Sequence, residues 1–392
     1  MLTRRCVALA LCAAASALAA PAARAQEPFR IGLILPMTGP NSPTGRHIDA
    51  AVKLYMSQNG DTVAGRKIEV IVKDDTGAAD MTKRLAQELV VNDKANAIAG
   101  FGLTPLALAA APVATQAKVP MIVMAAGTAI ITEQSPFIAR TSFTLPQYTV
   151  PFADWIAKQG AKTVVTLVSD YAPGLDSAKA FKETFEKSGG KVLEELRAPL
   201  RSPDFSPFLQ KARDLKPDAL FIFVPNGQGA QMMKQAAERE LEKAGIKIYA
   251  TGDVTDDDSL NEMGDGVLGM ITAHHYSAAH KSPENEASVK AFKAQAKFRP
   301  SFMAVGGYDG MHLIYEALKK AGPSADGAAL VEAMKGMSWT SPRGPISIDP
   351  RTRDIVQNVY IRKIERGADG ELYNMEFETI PNVKDPVKEA KK

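Results

Sequence analysis

Cysteine is almost absent from this chain, and its two cysteines, Cys6 and Cys12, both lie near the N-terminus. They fall inside a segment with the features of a secretory signal peptide: early arginines, an apolar run, and the small-residue sequence Ala23-Arg24-Ala25. We therefore expect residues 1–25 to be a signal peptide that is cleaved after Ala25 during export. The exported chain would contain no thiol and no disulfide, so burial of apolar side chains must stabilise it.

The chain also lacks an excess of one charge and a long uninterrupted apolar segment. Removal of the signal peptide takes away three arginines and no acidic residue, which leaves equal numbers of basic and acidic side chains. This balance, without a basic stripe, argues against nucleic acid as a partner. The apolar stretch Ala95–Ile131 is broken by Pro105, Pro112, Lys118 and Pro120, so it falls short of the ~20 apolar residues that a membrane-spanning helix needs.

Motifs of nucleophilic, phosphate-dependent and metal-dependent catalysis are missing as well. The sequence has no G-x-S-x-G motif and no P-loop. The run Asp256-Asp257-Asp258 lacks the glycine and the terminal glutamate of a calcium loop. His274 and His275 resemble, with His280, a metal cluster, but adjacent residues on a strand point to opposite faces, so we do not expect this pair to chelate together. We predict neither an enzyme nor a metal or cofactor site.

Apolar runs alternate with amphipathic segments along the exported chain. The run Phe29–Pro36 has the unbroken apolar pattern of a strand buried on both faces of a parallel sheet. Helical patterns separate the next predicted strands, which are Lys67–Asp74, Ala95–Gly100 and Met121–Met124. Such alternation is typical of right-handed βαβ units, so we predict an α/β fold with mostly parallel sheets flanked by helices.

The pattern restarts after Thr144, which predicts a second lobe of the same construction. Helices predicted between residues 283 and 335 are expected to return to the first lobe, so that the chain crosses between the lobes more than once. We assign residues 26–144 and 277–338 to lobe 1 and residues 145–276 and 339–392 to lobe 2. Several crossings make a hinge, with a ligand cleft between the lobes. Residues 381–392 are expected to be frayed.

Two of the predicted strands end in glycine-containing turns that suit an anion. One runs into Gly100-Phe101-Gly102-Leu103 and then Thr104-Pro105, which has the pattern of a helix start with Thr104 as the N-cap. The next ends in Ala125-Ala126-Gly127-Thr128, whose small side chains allow a ligand to approach the main chain. Unpaired N–H groups and the helix dipole favour negative charge here, so we predict a carboxylate or phosphate site. Each turn alone is equally consistent with an ordinary tight βα connection.

Several segments carry a resemblance to a known family. The opening sequence Ile31–Pro40, with the turns at Gly100–Thr104 and Ala126–Thr128, resembles the leucine/isoleucine/valine-type periplasmic solute-binding proteins of ABC importers. Further matches are Ser169–Gly174, Gly252-Asp253 and Val305–Met311. Within that family, three segments resemble members that bind aromatic carboxylates: Asp61–Lys67, Met334–Met337 and Ser341–Pro345.

The resemblance implies a type I, Venus-flytrap fold in the periplasm. Such a protein closes on a small carboxylate between its lobes and delivers it to the permease subunits of an ABC importer, and we expect a monomer. The positions that match the family's ligand contacts are Thr104, Ala126 and Thr128 for the carboxylate, Tyr171 and Asn226 in lobe 2, Asp253 for the ammonium group of an amino acid, and Tyr308 on the hinge side. Leu103 in the first turn and Phe101, which could wall a flat ring, are further candidates.

Two ligand classes stay open at this point. Thr44, also a candidate contact, stands where amino-acid-binding members often have an aromatic residue, which disfavours a branched-chain amino acid. Asp253 could bind an ammonium group, accept a hydrogen bond from a ring hydroxyl, or cap a helix that begins at Asp256. We predict an aromatic acid of benzoate, hydroxybenzoate or hydroxycinnamate type, with a branched-chain amino acid as the alternative. A sensory ligand-binding protein is a more distant alternative, since it would need an attached signalling segment.

Overall fold

The fold is described by a computed structural model over residues 27–201 and 203–391. The predicted signal peptide, its cleavage site and both cysteines lie outside these described residues. None of the helices within them combines the length and the apolar character needed to cross a membrane.

The first sheet has six strands. They are β1 (Phe29–Leu35), β2 (Thr62–Val63), β3 (Arg66–Asp74), β4 (Ala97–Gly100), β5 (Met121–Val123) and β6 (Ile138–Arg140). Their order is β2-β3-β1-β4-β5-β6, and all neighbours except β2 and β3 run parallel. Every residue of β4 and β5 is buried, as their apolar sequences predict. The chain passes from β1 to β3 on one side of β1 and then crosses from β3 to β4 on its other side. Open α/β sheets bind ligands at such a switch point.

The second sheet has nine strands and combines a parallel with an antiparallel part. They are β7 (Thr163–Ser169), β8 (Lys191–Ala198), β9 (Ala219–Phe223), β10 (Lys247–Thr251), β11 (Ile271–His274), β12 (Ser338–Ser341), β13 (Gly344–Ile348), β14 (Ile355–Arg366) and β15 (Leu372–Val383). The order is β12-β13-β14-β11-β10-β9-β7-β8, and β15 also pairs with β14. Strands β7 to β11 pair in parallel, and the remaining pairings are antiparallel.

Helices flank both sheets. The α-helices are α1 (Ser42–Asn59), α2 (Ala79–Val91), α3 (Thr104–Ala117), α4 (Leu145–Lys158), α5 (Ala172–Lys187), α6 (Ser206–Leu215), α7 (Gly229–Glu238), α8 (Pro283–Ala296), α9 (Phe302–Ala321), α10 (Gly327–Met334) and α11 (Pro386–Glu389). Short 3-10 helices lie at Ala129–Glu133 and Leu260–Val267. The predicted α/β class, with mostly parallel sheets flanked by helices, is confirmed.

Helices that come late in the chain pack on the first sheet's helices. Helices α8 and α9 contact α1, and α10 contacts α9 and β6. We therefore call the first sheet with α1–α3 and α8–α10 lobe 1, and the second sheet with α4–α7 lobe 2. The exact residues that divide the lobes, at positions 144, 276 and 338, stay a prediction.

A fully buried arginine ties together the segments that cross between the lobes. Nη2 of Arg343 lies 2.6 Å from Oδ2 of Asp309 in α9. Its guanidinium also donates to the main-chain oxygens of Thr141 and Ser142 at 2.7 and 3.0 Å, and to Oε1 of Gln357 in β14 at 2.8 Å. One side chain thus joins the segment after β6, a lobe 1 helix and a lobe 2 strand.

The C-terminal segment is not frayed as predicted. Strand β15 continues to Val383, and α11 follows it. Lys388 is only 5% exposed. Its ammonium group pairs with the buried Asp354 and donates to the hydroxyl of Thr132. No local sequence pattern predicts these contacts, because both partners lie far from Lys388 along the chain.

Candidate functional site

A cavity lies between the two lobes, where strands of both sheets end. Seven of the ten predicted site residues line it: Thr44, Leu103, Thr104, Ala126, Tyr171, Asn226 and Asp253. The first four belong to lobe 1 and the last three to lobe 2. The structure therefore brings residues from both lobes around one shared cleft, the kind of concave site that binds small molecules.

The first turn of lobe 1 leads from β4 into α3. Gly100 has a φ of +109°, and a Cβ atom there would lie 2.3 Å from the main-chain oxygen of Ile34, so the turn requires glycine. The N-cap of α3 is Leu103 rather than the predicted Thr104, which is the first helical residue. The hydroxyl of Thr104 is consequently free of a capping role and points to the neighbouring turn.

Hydrogen-bond donors converge where the two lobe 1 turns meet. The hydroxyl oxygens of Thr104 and Thr128 lie 2.9 Å apart. The amide groups of Thr104, Gly127 and Thr128 have no acceptor among the described residues. The amide of Ala126, which we expected to bind the ligand, instead donates to the main-chain oxygen of Phe101 at 3.1 Å. The available donors are therefore the neighbouring amides and the threonine hydroxyls, a combination that suits an anion.

Aromatic and apolar side chains form the cavity walls. Tyr171 and Phe223, at the ends of β7 and β9, have ring centroids 6.1 Å apart and planes inclined by only 17°. Phe143 and Leu145 approach Gly127 so closely that a Cβ atom on this glycine would lie 2.6 Å from each side chain. Flat walls of this kind favour a planar ligand.

Asp253 is a buried carboxylate on the lobe 2 side of the cavity. Its Oδ2 accepts a hydrogen bond of 2.8 Å from the hydroxyl of Tyr148 and lies 3.6 Å from Nε2 of His274. Burial lowers the pKa of His274 to about 4, although Asp253 opposes this shift. The imidazole is therefore neutral at neutral pH and supplies no positive charge to Asp253. The following helix begins at Leu260 with Ser259 as its N-cap, so the interpretation of Asp253 as a helix cap is wrong.

Asn226 adds further acceptors to the lobe 2 side. Its Nδ2 donates to Oδ2 of the buried Asp256. Oδ1 of Asn226 and Oδ1 of Asp256 are both buried and have no hydrogen-bond partner among the described residues. Burial, together with the charges of Asp257 and Asp258, raises the pKa of Asp256. Asn226 lines the cavity whereas Asp256 does not. Because the buried Oδ1 of Asn226 is costly without a donor, this side of the cavity suits a ligand that carries a donor group.

Three predicted residues do not line the cavity. Thr128 lies directly behind it and contacts Thr104. Phe101 is fully buried in the lobe 1 core. The hydroxyl of Tyr308 donates to Gln58 at 2.7 Å, and its ring packs edge-on against Tyr55 of α1. The structure thus places Tyr308 away from the cavity, contrary to the prediction.

Seven lining residues were not predicted from the sequence, and three of them, Asn41, Pro173 and Pro225, lie in loops or at helix starts. Phe143, Leu145, Phe223 and Met303 contact the cavity, but each is an apolar residue in a mostly apolar stretch. Nothing distinguishes such residues from the core until the chain is folded. Phe223 alone had a signal, because it ends an apolar strand just before Asn226.

The adjacent histidines lie differently from the prediction. Strand β11 ends at His274, so His275 already follows the strand, and the two ring centroids are 4.2 Å apart. Both side chains are fully buried, and burial lowers both pKa values. No group of three or more residues able to hold a metal ion comes together in the part of the chain that the structure describes.

Comparisons with known proteins agree with the two-lobed α/β fold. The sequence matches the periplasmic binding protein family over residues 28–371. A solute-binding protein of an ABC transporter from Rhodopseudomonas palustris BisB5, solved with 3,4-dihydroxybenzoic acid, is 64% identical, with a TM-score of 0.90 over 92% of this chain and 99% of that one. Another, from Rhodopseudomonas palustris HaA2 and solved with p-hydroxybenzoic acid, is 39% identical, with a TM-score of 0.89 over 93% of this chain and all of that one. The Leu/Ile/Val-binding protein homolog 6 of Brucella abortus (strain 2308) is 42% identical over 94% of this chain and 95% of its own.

Proposed function

Because this chain belongs to the periplasmic binding protein family and is a solute-binding protein of an ABC transporter, we propose that its ligand is an aromatic acid, specifically a hydroxylated benzoate. The lobes close on the ligand, and the closed protein delivers it to the permease subunits. Export to the periplasm with cleavage after Ala25, and action as a monomer, are part of the same proposal.

The proposal rests on the chemical difference between the two ends of the cavity. The lobe 1 end offers hydrogen-bond donors at Thr104 and Gly127. The lobe 2 end offers acceptors at Asp253 and Asn226. A hydroxylated benzoate has the complementary arrangement, with a carboxylate acceptor at one end, a hydroxyl donor at the other and a flat ring between them. The ligands of the two Rhodopseudomonas palustris proteins have this chemistry, which supports the proposal.

A branched-chain amino acid is the second candidate. The name of the Brucella abortus relative favours it, and a carboxylate at Asp253 could pair with an α-ammonium group. Burying an ammonium group without such a partner would cost several kcal/mol. The parallel rings of Tyr171 and Phe223 favour the aromatic acid instead, since they match a planar ligand better than a branched one.

A ligand screen on refolded protein tests the proposal. Refolding from denaturant removes any ligand retained through purification, and thermal unfolding is then followed with 4-hydroxybenzoate, 3,4-dihydroxybenzoate, benzoate, a hydroxycinnamate, leucine and valine. A ligand at a hundred times its Kd stabilises the folded protein by about 2.7 kcal/mol, so a specific ligand raises the melting temperature clearly.

We expect the hydroxylated benzoates to give the largest increase in melting temperature, and isothermal titration then measures their Kd. Stabilisation by leucine or valine alone would overturn the proposal and make Asp253 the ammonium partner. The same two lobes and cavity would then serve amino acid transport.

A further inference from the structure

Arg140 lies directly behind the lobe 1 end of the cavity. It is the last residue of β6, and its side chain is fully buried. Its Nη2 donates to the main-chain oxygen of Thr128 at 2.7 Å, and its Nη1 donates to those of Phe143 at 2.8 Å and Ala126 at 3.4 Å. One guanidinium thus holds three main-chain carbonyl groups, two of which belong to the Ala125–Thr128 turn.

These contacts fix the direction of two peptide N–H groups. In a trans peptide the carbonyl and the following N–H point in opposite directions. The carbonyl of Ala126 points to Arg140, so the amide of Gly127 points away from Arg140, and Gly127 lines the cavity. The carbonyl of Thr128 also points to Arg140, and the following amide, of Ala129, donates to Oδ2 of Asp176 in lobe 2 at 3.1 Å. A positive charge on a carbonyl also polarises its peptide unit and strengthens the N–H as a donor.

The guanidinium is held in this position by buried acidic and basic groups. Its Nε lies 3.0 Å from Oδ1 of Asp354, and neither side chain is more than 2% exposed. Asp354 also pairs with Lys388 of the C-terminal helix. Asp354 is therefore fixed by two cations, and Arg140 has no solvent-facing alternative.

We propose that Arg140 is a positioning residue for the ligand's carboxylate. Without contacting the ligand, it orients and polarises the Gly127 amide that faces the carboxylate. The inference rests on the proposed function only in requiring a carboxylate at this end of the cavity, which an aromatic acid and an amino acid both supply.

Two variants test the inference, so that it stays testable when one of them fails to fold. Arg140→Lys keeps the charge but cannot hold three carbonyl groups, whereas Arg140→Gln keeps donors but loses the charge. Titration with 4-hydroxybenzoate is expected to show a Kd raised about tenfold or more in each folded variant, since a hydrogen bond to a charged group contributes to this extent. The Gly127 amide signal in a ¹H–¹⁵N spectrum is expected to move less on ligand addition than in the wild type.

Arg343→Lys is the matched control, because Arg343 is equally buried but contacts neither turn. On ligand addition, the Gly127 amide signal of Arg343→Lys is expected to move as far as in the wild type, even if the substitution lowers the stability. A Kd within threefold of the wild type and an unchanged Gly127 response in the Arg140 variants would overturn the inference. If the wild type binds leucine rather than 4-hydroxybenzoate, the proposed function fails, and the same variants are titrated with leucine to judge Arg140 separately.

Discussion

The carboxylate of Asp253 accepts a hydrogen bond from the hydroxyl of Tyr148, and it lines the ligand cavity. A ring hydroxyl of the ligand can therefore donate to it, and hydrogen bonds to a charged acceptor are about twice as strong as neutral ones. We predict that Asp253→Asn raises the Kd for 4-hydroxybenzoate about tenfold. The Kd for benzoate, which has no hydroxyl, is expected to change less than threefold. Isothermal titration of both ligands gives the two ratios.

Asp170→Asn serves as the control for this variant, because Asp170 precedes Tyr171 in the chain but is exposed. It is expected to leave both Kd values unchanged. If Asp253→Asn raised the Kd values for benzoate and 4-hydroxybenzoate equally, Asp253 would maintain the shape of the cavity and not bind the ring hydroxyl.

The hydroxyl of Thr128 belongs to the donor group at the other end of the cavity, through its contact with Thr104. Thr128→Val keeps the shape of the side chain and removes this hydroxyl. We predict a Kd for the carboxylate ligand raised about two- to tenfold, because Thr128 acts from behind the cavity by orienting the hydroxyl of Thr104, and a neutral hydrogen bond contributes about 0.5–1.5 kcal/mol. Thr166→Val is the control, since Thr166 is buried in β7 and makes no hydrogen bond with the described residues. An unchanged Kd in Thr128→Val would remove this residue from the site.

At the scale of elements, helix α1 of lobe 1 contacts the loop after β10 of lobe 2. Nη2 of Arg46 lies 2.7 Å from Oδ2 of Asp258, and Nε2 of His47 lies 3.0 Å from the same oxygen. These contacts require the lobes to be close together, so they favour the closed form. We predict that Asp258→Asn increases the ligand dissociation rate about three- to fivefold, a change that corresponds to about 1 kcal/mol for a partly exposed ion pair.

Stopped-flow displacement of the bound ligand measures this rate. Asp49→Asn is the control, because the ion pair of Asp49 with Lys53 lies within α1 and does not cross between the lobes. A dissociation rate in Asp258→Asn equal to that of the wild type would mean that the contact forms without favouring closure.

Local sequence patterns were sufficient to predict the parallel strands and the turns after them. Strand β1 and the turn at Gly100 are examples, since an unbroken apolar run and a glycine that must adopt a positive φ are both local features. Strand β15 was missed, because it is a partly exposed strand with Glu376, Glu378 and Pro381 that pairs with β14 at the edge of the sheet. Its pairing depends on the tertiary fold, which no local pattern records.

In the candidate site, too, some residues could be predicted from the sequence and others depend on the tertiary fold. Thr104 begins the helix that follows β4, and Asp253 lies in the loop after β10, so the topology of parallel sheets alone brings them to one cavity. Tyr308 was placed by family resemblance, but it lies within α9, and the packing of α9 against α1 turns its ring towards Tyr55. Phe143 lies between β6 and α4, where the chain crosses from lobe 1 to lobe 2. Its contact with the cavity therefore depends on how the two lobes are joined.

At the scale of the whole molecule, buried histidines make stability depend on pH. Burial lowers the pKa values of His47, His274, His275 and His312 below their ordinary value. At these four positions the unfolded chain therefore binds more protons than the folded protein below about pH 6.5, so their contribution to the free energy of unfolding falls as the pH falls. For His274 this loss begins at its unfolded pKa and continues down to its folded pKa of about 4.

We predict that His274→Gln loses less stability on acidification than the wild type. Between pH 7.5 and pH 5.0, a fully buried histidine with a folded pKa of about 4 accounts for about 2 kcal/mol of lost unfolding free energy. Asp256 and Asp257, whose pKa values are raised by burial, act in the opposite direction, but they do so in both proteins and cancel in the comparison. Urea unfolding of the ligand-free proteins at both pH values measures the difference, and the values at pH 7.5 give the cost of the substitution itself. Equal losses in the two proteins would mean that His274 is protonated in the folded state at pH 5, with Asp253 outweighing its burial.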